Sequence, residues 1–195
     1  MRCFVGIELD MPTREALAGA GAAVRTADAA WSGEKWVRPE NLHVTVAFLG
    51  DVEESVTDEL AEAIALRLGD THAFDLPFAG LRAVPKEGRA TMLWAAYRDP
   101  DRWGDALERS IAAACEPFRL RLEDRAFKPH VTLARTRRPR RAGAEAIAAL
   151  DAAAENVPRF VSVRNATLFS STLTKAGPIY RHLATWEFEA SDACL

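Results

Sequence analysis

HVTVAFLG (residues 43–50) and HVTLAR (residues 130–135) are two versions of one phrase, and they hold two of the four histidines in a chain of 195 residues. In a β-strand, side chains at i and i+2 point to the same side. His43 and Thr45 therefore share a face, with Val44 and Val46 on the reverse; His130 and Thr132 do the same, backed by Val131 and Leu133. A lone His-x-Thr needs no more explanation than a half-buried strand with its polar side in solvent. Two copies that also agree at the second, fourth and fifth positions ask for a reason that needs both.

Working outward, strand-like and helix-like segments alternate. Strands are expected at 3–9, 42–50, 74–84, 91–97, 118–123, 129–135, 159–173 and 178–190. Helices are expected at 13–30, at 55–68 with Ser55 or Thr57 as N-cap, at 99–118 with Trp103, Leu107 and Ile111 on one face, and at 143–154. Strands outnumber helices, and the helices are spaced like covers on sheets. This predicts an α+β fold, bilobal, with two antiparallel sheets flanked by helices and a cleft between them. The two phrases lie too far apart for a solenoid repeat. They fit one domain over residues 1–195, with one motif per lobe at 43–46 and 130–133.

Composition narrows the function. Hydrophobic residues make up 49% and charged residues 27%, and the net charge is −3, so overall basicity gives no argument for nucleic acid and any phosphate contact must be local. Cys3, Cys115 and Cys194 contain no CxxC pair, which suits a reducing cytoplasm and argues against a disulfide framework or cysteine zinc site. The start MRCFVGIELD reaches Glu8 too soon for a signal-peptide core, and no apolar run approaches the roughly 20 residues of a membrane span. A cytoplasmic protein with no membrane contact is expected. Neither GxGxxG nor GxxxxGK[ST] occurs, so dinucleotide and P-loop readings lack support.

Two imidazoles and two hydroxyls suit in-line cleavage of a P–O bond. The attacking water needs a base and the departing oxygen an acid, on opposite sides of phosphorus. One imidazole cannot reach both. Histidine fits either role because its ordinary pKa lies near working pH. Thr45 and Thr132, with nearby cations, would hold the non-bridging oxygens as charge develops.

These motifs resemble the paired HxTx motifs of the 2H phosphoesterases, and specifically the bacterial and archaeal RNA 2′,3′-cyclic phosphodiesterases, also described as 2′-5′ RNA ligases. The likeness runs nearly end to end: RCFVGIELD, WVRPENLHVTVAFLGDV, GLRAVPKEGRATMLWAAY, RLEDRAFKPHVTLAR and LFSSTLTKAGPIYRHLATWEFE each resemble a family block. The resemblance implies a bilobal fold with a pseudo-two-fold axis. It also implies hydrolysis of RNA or nucleotide 2′,3′-cyclic phosphates to 2′-phosphomonoesters, with 2′-5′ ligation as a related activity. No metal or cofactor is implied. By the same resemblance His43 is the proton donor to the leaving 3′-oxygen and His130 the base for water. Gly6 departs from the pattern, where such chains more often carry alanine, a difference expected to touch packing and not the site.

Further substrate contacts are expected from Arg125 to phosphate and Phe127 to a base, from Phe48, placed on the face of His43 as a cleft wall, and from Tyr180. The run RTRRPRR at 135–141, five arginines in seven residues, reads as a solvated loop or an electrostatic landing strip for RNA. His72 and His182 have no partner phrase. RNA ends or nucleoside 2′,3′-cyclic phosphates are the expected partners, and a monomer without obligate protein partner is expected. A zinc hydrolase is disfavoured because no HxH or HExxH completes a ligand set. A non-catalytic RNA-end-binding protein with a degenerate site is the alternative from another class.

Overall fold

The computed structural model describes residues 1–120, 122, 126–175 and 177–190. Strand β1 (Arg2–Glu8) leads to Asp10, whose carboxylate accepts the Thr13 N–H and caps α1 (Met11–Ala27). The short β2 (Lys35–Trp36) precedes β3 (His43–Asp51), and α2 (Thr57–Leu68) follows. The hairpin of β4 (Phe74–Val84) and β5 (Ala90–Tyr97) is followed by α3 (Trp103–Cys115) and β6 (His130–Arg140). Helix α4 (Ala144–Ala154) leads into β7 (Phe160–Val163), β8 (Asn165–Thr174) and β9 (Gly177–Glu187).

Among the described residues the strands form one antiparallel sheet in the order β7-β4-β5-β6-β3-β1-β8-β9, with β2 paired to β6. Its centre is its narrowest joint: β3 and β6 share a single pair, Val44 opposite Val131. On either side of that joint the sheet is a broad ladder, so the two antiparallel halves read from the sequence are present and are stitched at one point. The sheet also curls. Strand β4 pairs with β7 through Phe74–Pro77 and with β5 from Phe78 onward, and β7 and β8, far apart in strand order, are separated by Arg164 alone.

The helices cover the face that carries Val44 and Val131, both 0% exposed. Helix α1 follows β1 yet packs on α4 and β6 in the other half; α3 follows β5 yet packs on α2 and β3. Leu17, Leu60, Ile64, Leu93, Leu107, Ile111 and Leu150 fill the layer between. Because each half is covered by a helix from the other, the apolar face is sealed and the opposite face of β3 and β6 stays open. Among the described residues no helix is long and apolar enough to cross a membrane.

Several boundaries differ from the sequence reading. Strand β6 runs on to Arg140, because β2 pairs with Arg135 and Ala134 and Ala90 pairs with Arg140; most of the arginine run is thus strand and not loop. Within it Arg140 pairs with Glu34 and lies over the Trp31 ring, a structural role. Of the expected strand at 118–123, Arg119 turns into the left-handed region, while Leu120 and Leu122 pack on the core from a loop; Arg121 and Glu123 lie outside the described residues. The long strand expected at 159–173 breaks at Arg164, where the chain passes from the edge strand β7 to β8, next to the opposite edge. Neither Ser55 nor Thr57 caps α2: a 3-10 turn runs in ahead of it and Thr57 donates its hydroxyl to the Glu53 carbonyl. Trp103 is 55% exposed while Leu107 and Ile111 are buried, so the apolar face of α3 starts one turn late.

The seam generates a stability prediction. Val44→Ala or Val131→Ala removes two methyl groups from a site with no solvent and costs about 2 kcal/mol in urea unfolding. Because the two side chains face each other across one pair, the double variant departs from additivity.

Candidate active site

The single Val44–Val131 pair sets the site. In an antiparallel pair, directly opposed residues lie on one face, so with both valines in the core, His43, Thr45, His130 and Thr132 all fall on the open face. A local two-fold through that pair carries one His-Val-Thr onto the other. Both histidines are held alike: Nδ1 of His43 lies 2.7 Å from the Asn41 carbonyl oxygen, and Nδ1 of His130 lies 2.7 Å from that of Lys128. A carbonyl can only accept, so each Nδ1 carries the proton. Each Nε2 is thereby the nitrogen left to work. In His43 it meets the Thr45 hydroxyl at 3.1 Å.

The symmetry extends to a pair of β-bulges. On β3 the partners of Gly6 and Val5 are Thr45 and Ala47, which leaves Val46 extra; on β6 the partners of Trp94 and Leu93 are Thr132 and Ala134, which leaves Leu133 extra. Both phrases accordingly have two buried residues in succession, Val46–Ala47 and Leu133–Ala134, and then an exposed one, Phe48 and Arg135. Strict alternation would put Phe48 with Val46 in the core. The bulge reverses the parity and turns Phe48 to the face of His43, 55% exposed. By the same step Arg135 reaches the open face, close enough that its charge acts on both His43 and Tyr180.

The two halves diverge in what surrounds the imidazoles. His43 lies among aromatics: ring centroids are 4.8 Å away for Phe4 and 5.4 Å for Tyr180, the latter edge-on. Burial is the largest influence on His43 and pushes its pKa below the ordinary value; its bond to the Asn41 carbonyl opposes this, and the charges of His130 and Arg135 add to it. His130 instead stacks on Trp94, with centroids 3.7 Å apart and planes 21° from parallel. Trp94 pairs with Thr132 as Gly6 pairs with Thr45, so an indole on one side corresponds to an empty position on the other.

Of the remaining expected residues, Tyr180 joins the site, half-buried, and burial raises its phenol pKa. Phe127 is half-buried where a Gly104 side chain would otherwise sit, on the outer side of His130. Arg125 lies outside the described residues. His182 faces Glu8 and Phe169, and His72 faces Glu189. Cys3 and Cys115 are buried free thiols, and among the described residues no three His, Cys, Asp or Glu side chains group so as to hold a metal ion.

The model of the 2′-5′ RNA ligase superfamily matches residues 15–173. The chain belongs to that superfamily. It is 30% identical over 181 residues to the RNA 2′,3′-cyclic phosphodiesterase of Methanothermobacter thermautotrophicus, covering 92% of this chain and 95% of the relative. To the RNA 2′,3′-cyclic phosphodiesterase of Archaeoglobus fulgidus it is 29% identical over 189 residues, 96% of this chain and 100% of the relative. Among solved structures, TT0787 of Thermus thermophilus superposes with a TM-score of 0.75 at 27% identity, over 97% of this chain and 99% of the other.

Within this superfamily fold, Trp94 is a site-facing residue that sequence reading passed over, and Arg135 is one that it read only as part of the basic run at 135–141. Arg135 had a signal, since it stands one place after HVTLA as Phe48 stands after HVTVA. Trp94 had none, because only strand pairing brings β5 beside β6. Gly6 also proves to belong to the site: a Cβ there would lie 3.2 Å from the Val44 carbonyl oxygen and 3.3 Å from both His43 Cδ2 and Phe4 Cε2. The missing side chain lets His43 and Phe4 close over β1, which corrects the expectation that Gly6 concerns packing alone. Gly6→Val drives branched methyls into His43. With a misplaced imidazole, kcat on a cyclic phosphodiester falls about tenfold or more, while circular dichroism and the urea midpoint show a folded protein.

Proposed function

We propose that this protein hydrolyses 2′,3′-cyclic phosphates of RNA ends or nucleotides to 2′-phosphomonoesters, using one imidazole as acid and the other as base. The observation that carries the reading is the two-fold pair of histidines on one open face, each fixed by an Nδ1–H bond to the carbonyl two residues earlier, which leaves Nε2 as the nitrogen for proton transfer. The names of the relatives and the superfamily membership support the substrate class.

The division of labour follows the family resemblance. A cyclic phosphate lies over the Val44–Val131 joint. His130 Nε2 takes a proton from water as its oxygen bonds to phosphorus; the P–O3′ bond breaks, and protonated His43 Nε2 gives its proton to O3′. The aromatic cluster of Phe4, Phe48 and Tyr180 on the His43 side suits the nucleoside that carries O3′. Thr45, Thr132 and Arg135 surround the non-bridging oxygens, where charge grows in the transition state. Neither step needs a metal or organic cofactor. We further read the chain as one bilobal unit, each half supplying one motif, acting as a cytoplasmic monomer. A purely binding role is less well supported, since both histidines are held in one tautomer, a constraint binding alone does not require.

Incubation with adenosine 2′,3′-cyclic phosphate yields the 2′-phosphate alone, as read by phosphorus NMR. His43→Ala and His130→Ala each lose a factor of about 10² to 10⁴ in rate, and EDTA changes nothing. A 3′-phosphate product, or activity lost in EDTA and restored by zinc, refutes the two-histidine scheme.

The depressed pKa of His43 carries a second expectation. As donor, His43 must be protonated, so kcat/KM, which reports the free enzyme, falls as pH rises through a value below the ordinary histidine pKa. Bound phosphate is anionic and favours the imidazolium. The alkaline limb of kcat therefore lies at higher pH than that of kcat/KM, and the two limbs describe the coupled pair. Coincident limbs in the two pH profiles are the result against it.

A further inference from the structure

Tyr180 of β9 stands in the row of Ser171, Arg2 and Asp51, whereas His43 stands in the row of Glu8. From Arg2 to Glu8 is six residues, about 20 Å along a flat strand. Yet the Tyr180 and His43 ring centroids are 5.4 Å apart. A second contact spans more. The Asn41 carboxamide donates to the Pro178 carbonyl oxygen at 2.9 Å. Asn41 lies two residues before His43, and Pro178 two residues beyond the row of Tyr180, about 33 Å apart by the same flat measure. The outer part of the β8–β9 hairpin therefore arches back over the open face on the His43 side. Packing does little to hold it there: Leu173, opposite Pro178, and Ile179, next to it, are 82% and 55% exposed.

Asn41 is buried, so its carboxamide is an interior polar group whose partner lies 137 residues away. A carbonyl only accepts, so it is the amide nitrogen that faces Pro178, and losing the partner would leave a buried donor unmet. Through its backbone the same residue accepts the Nδ1–H of His43 at 2.7 Å. The carbonyl of Asn41 thus fixes the imidazole. Its carboxamide fixes, through Pro178 and one intervening residue, the phenol that meets that imidazole edge-on. The matched position in the second motif is Lys128, whose carbonyl holds His130 in the same way but whose side chain is exposed. We propose that Asn41 is a positioning residue for the proton donor: its side chain straps the β8–β9 hairpin down and so sets Tyr180 and the nucleoside wall against the imidazole that its carbonyl orients. The role of the imidazole rests on the activity proposed above; the strap can be tested without turnover.

The charges that face His43 are those of His130 and Arg135 from β6 and of Glu8, opposite it on β1, whose carboxylate is turned to His182 of β9. Asn41→Ala deletes none of them and keeps the backbone carbonyl. It frees the hairpin, admits water at the Tyr180 edge and relieves the burial that holds the His43 pKa below the ordinary value. The test is an NMR titration of the histidine rings in wild type, Asn41→Ala, Tyr180→Ala and the double variant, with the His43 signal assigned from His43→Ala. Circular dichroism and the urea midpoint show that each is folded. Where Asn41→Ala does not fold, Asn41→Ser, polar but too short to reach Pro178, replaces it. His43 titrates at higher pH in Asn41→Ala than in wild type. Tyr180→Ala does the same, and the double variant matches Tyr180→Ala, because the carboxamide acts through the phenol. The Kd for adenosine 2′-monophosphate rises about tenfold in Asn41→Ala, and Asn41→Ala adds little to it once Tyr180 is gone. An unmoved His43 titration, an unchanged Kd, or effects that add in full to those of Tyr180→Ala overturn the proposal. If wild type leaves adenosine 2′,3′-cyclic phosphate intact, the proposed activity fails, and the titration still decides whether Asn41 straps the hairpin.

Discussion

One residue pair, Val44 opposite Val131, holds the two halves of the sheet in register. Strand register has a period of two, and a slip of one residue would exchange core and open faces along a whole strand. Here the valines are held under helices borrowed from the opposite half, so a slip would bury histidine and threonine and expose the aliphatics. The apolar side of the joint thus fixes the polar side. The four residues of the proposed site owe their shared face to a contact on the opposite, buried side of the sheet.

Around that joint the molecule repeats itself in backbone and differs in side chains. The carbonyls two residues before each histidine, the bulges at Val46 and Leu133, and the exposed residue after each bulge are the same on both sides. At the matched positions the chemistry diverges: Phe48 against Arg135, Gly6 against Trp94. Cleavage of a phosphodiester is itself unsymmetrical, with one oxygen arriving and another leaving. A two-fold scaffold supplies two imidazoles at opposed positions, and the unmatched neighbours give each a distinct environment, buried and aromatic for His43, stacked beneath an indole for His130.

Much of this was legible in the sequence, for identifiable reasons. Alternation put His43 with Thr45 and His130 with Thr132 because those triplets precede the bulges. Phe48 lies on the face of His43, as expected, but by a different route: strict alternation would keep it with Val46, and the extra residue at Val46 is what turns it to that face. Leu120 and Leu122 alternate as a strand would, but they pack on the core from a loop. The break at Arg164 and the continuation of β6 to Arg140 depend on which strands lie alongside, which no local pattern encodes. Trp94 and Gly6 belong to the same class: each reaches the site through pairing with a distant strand. Arg125 lies outside the described residues.

The exchange of helices has a consequence for how the protein forms. Helix α1 leaves β1 to cover β6, α3 leaves β5 to cover β3, and Arg164 alone joins β7 in one half of the curled sheet to β8 in the other. Neither half has an apolar face that its own helices can close. The contacts that complete the core link residues far apart along the chain, which makes folding slow relative to helical proteins of this size and delays the gain from closure until both halves are present. On a ribosome, the first motif would emerge long before its partner and wait with its aliphatic side uncovered. The face that carries both motifs is thus among the last features to be assembled.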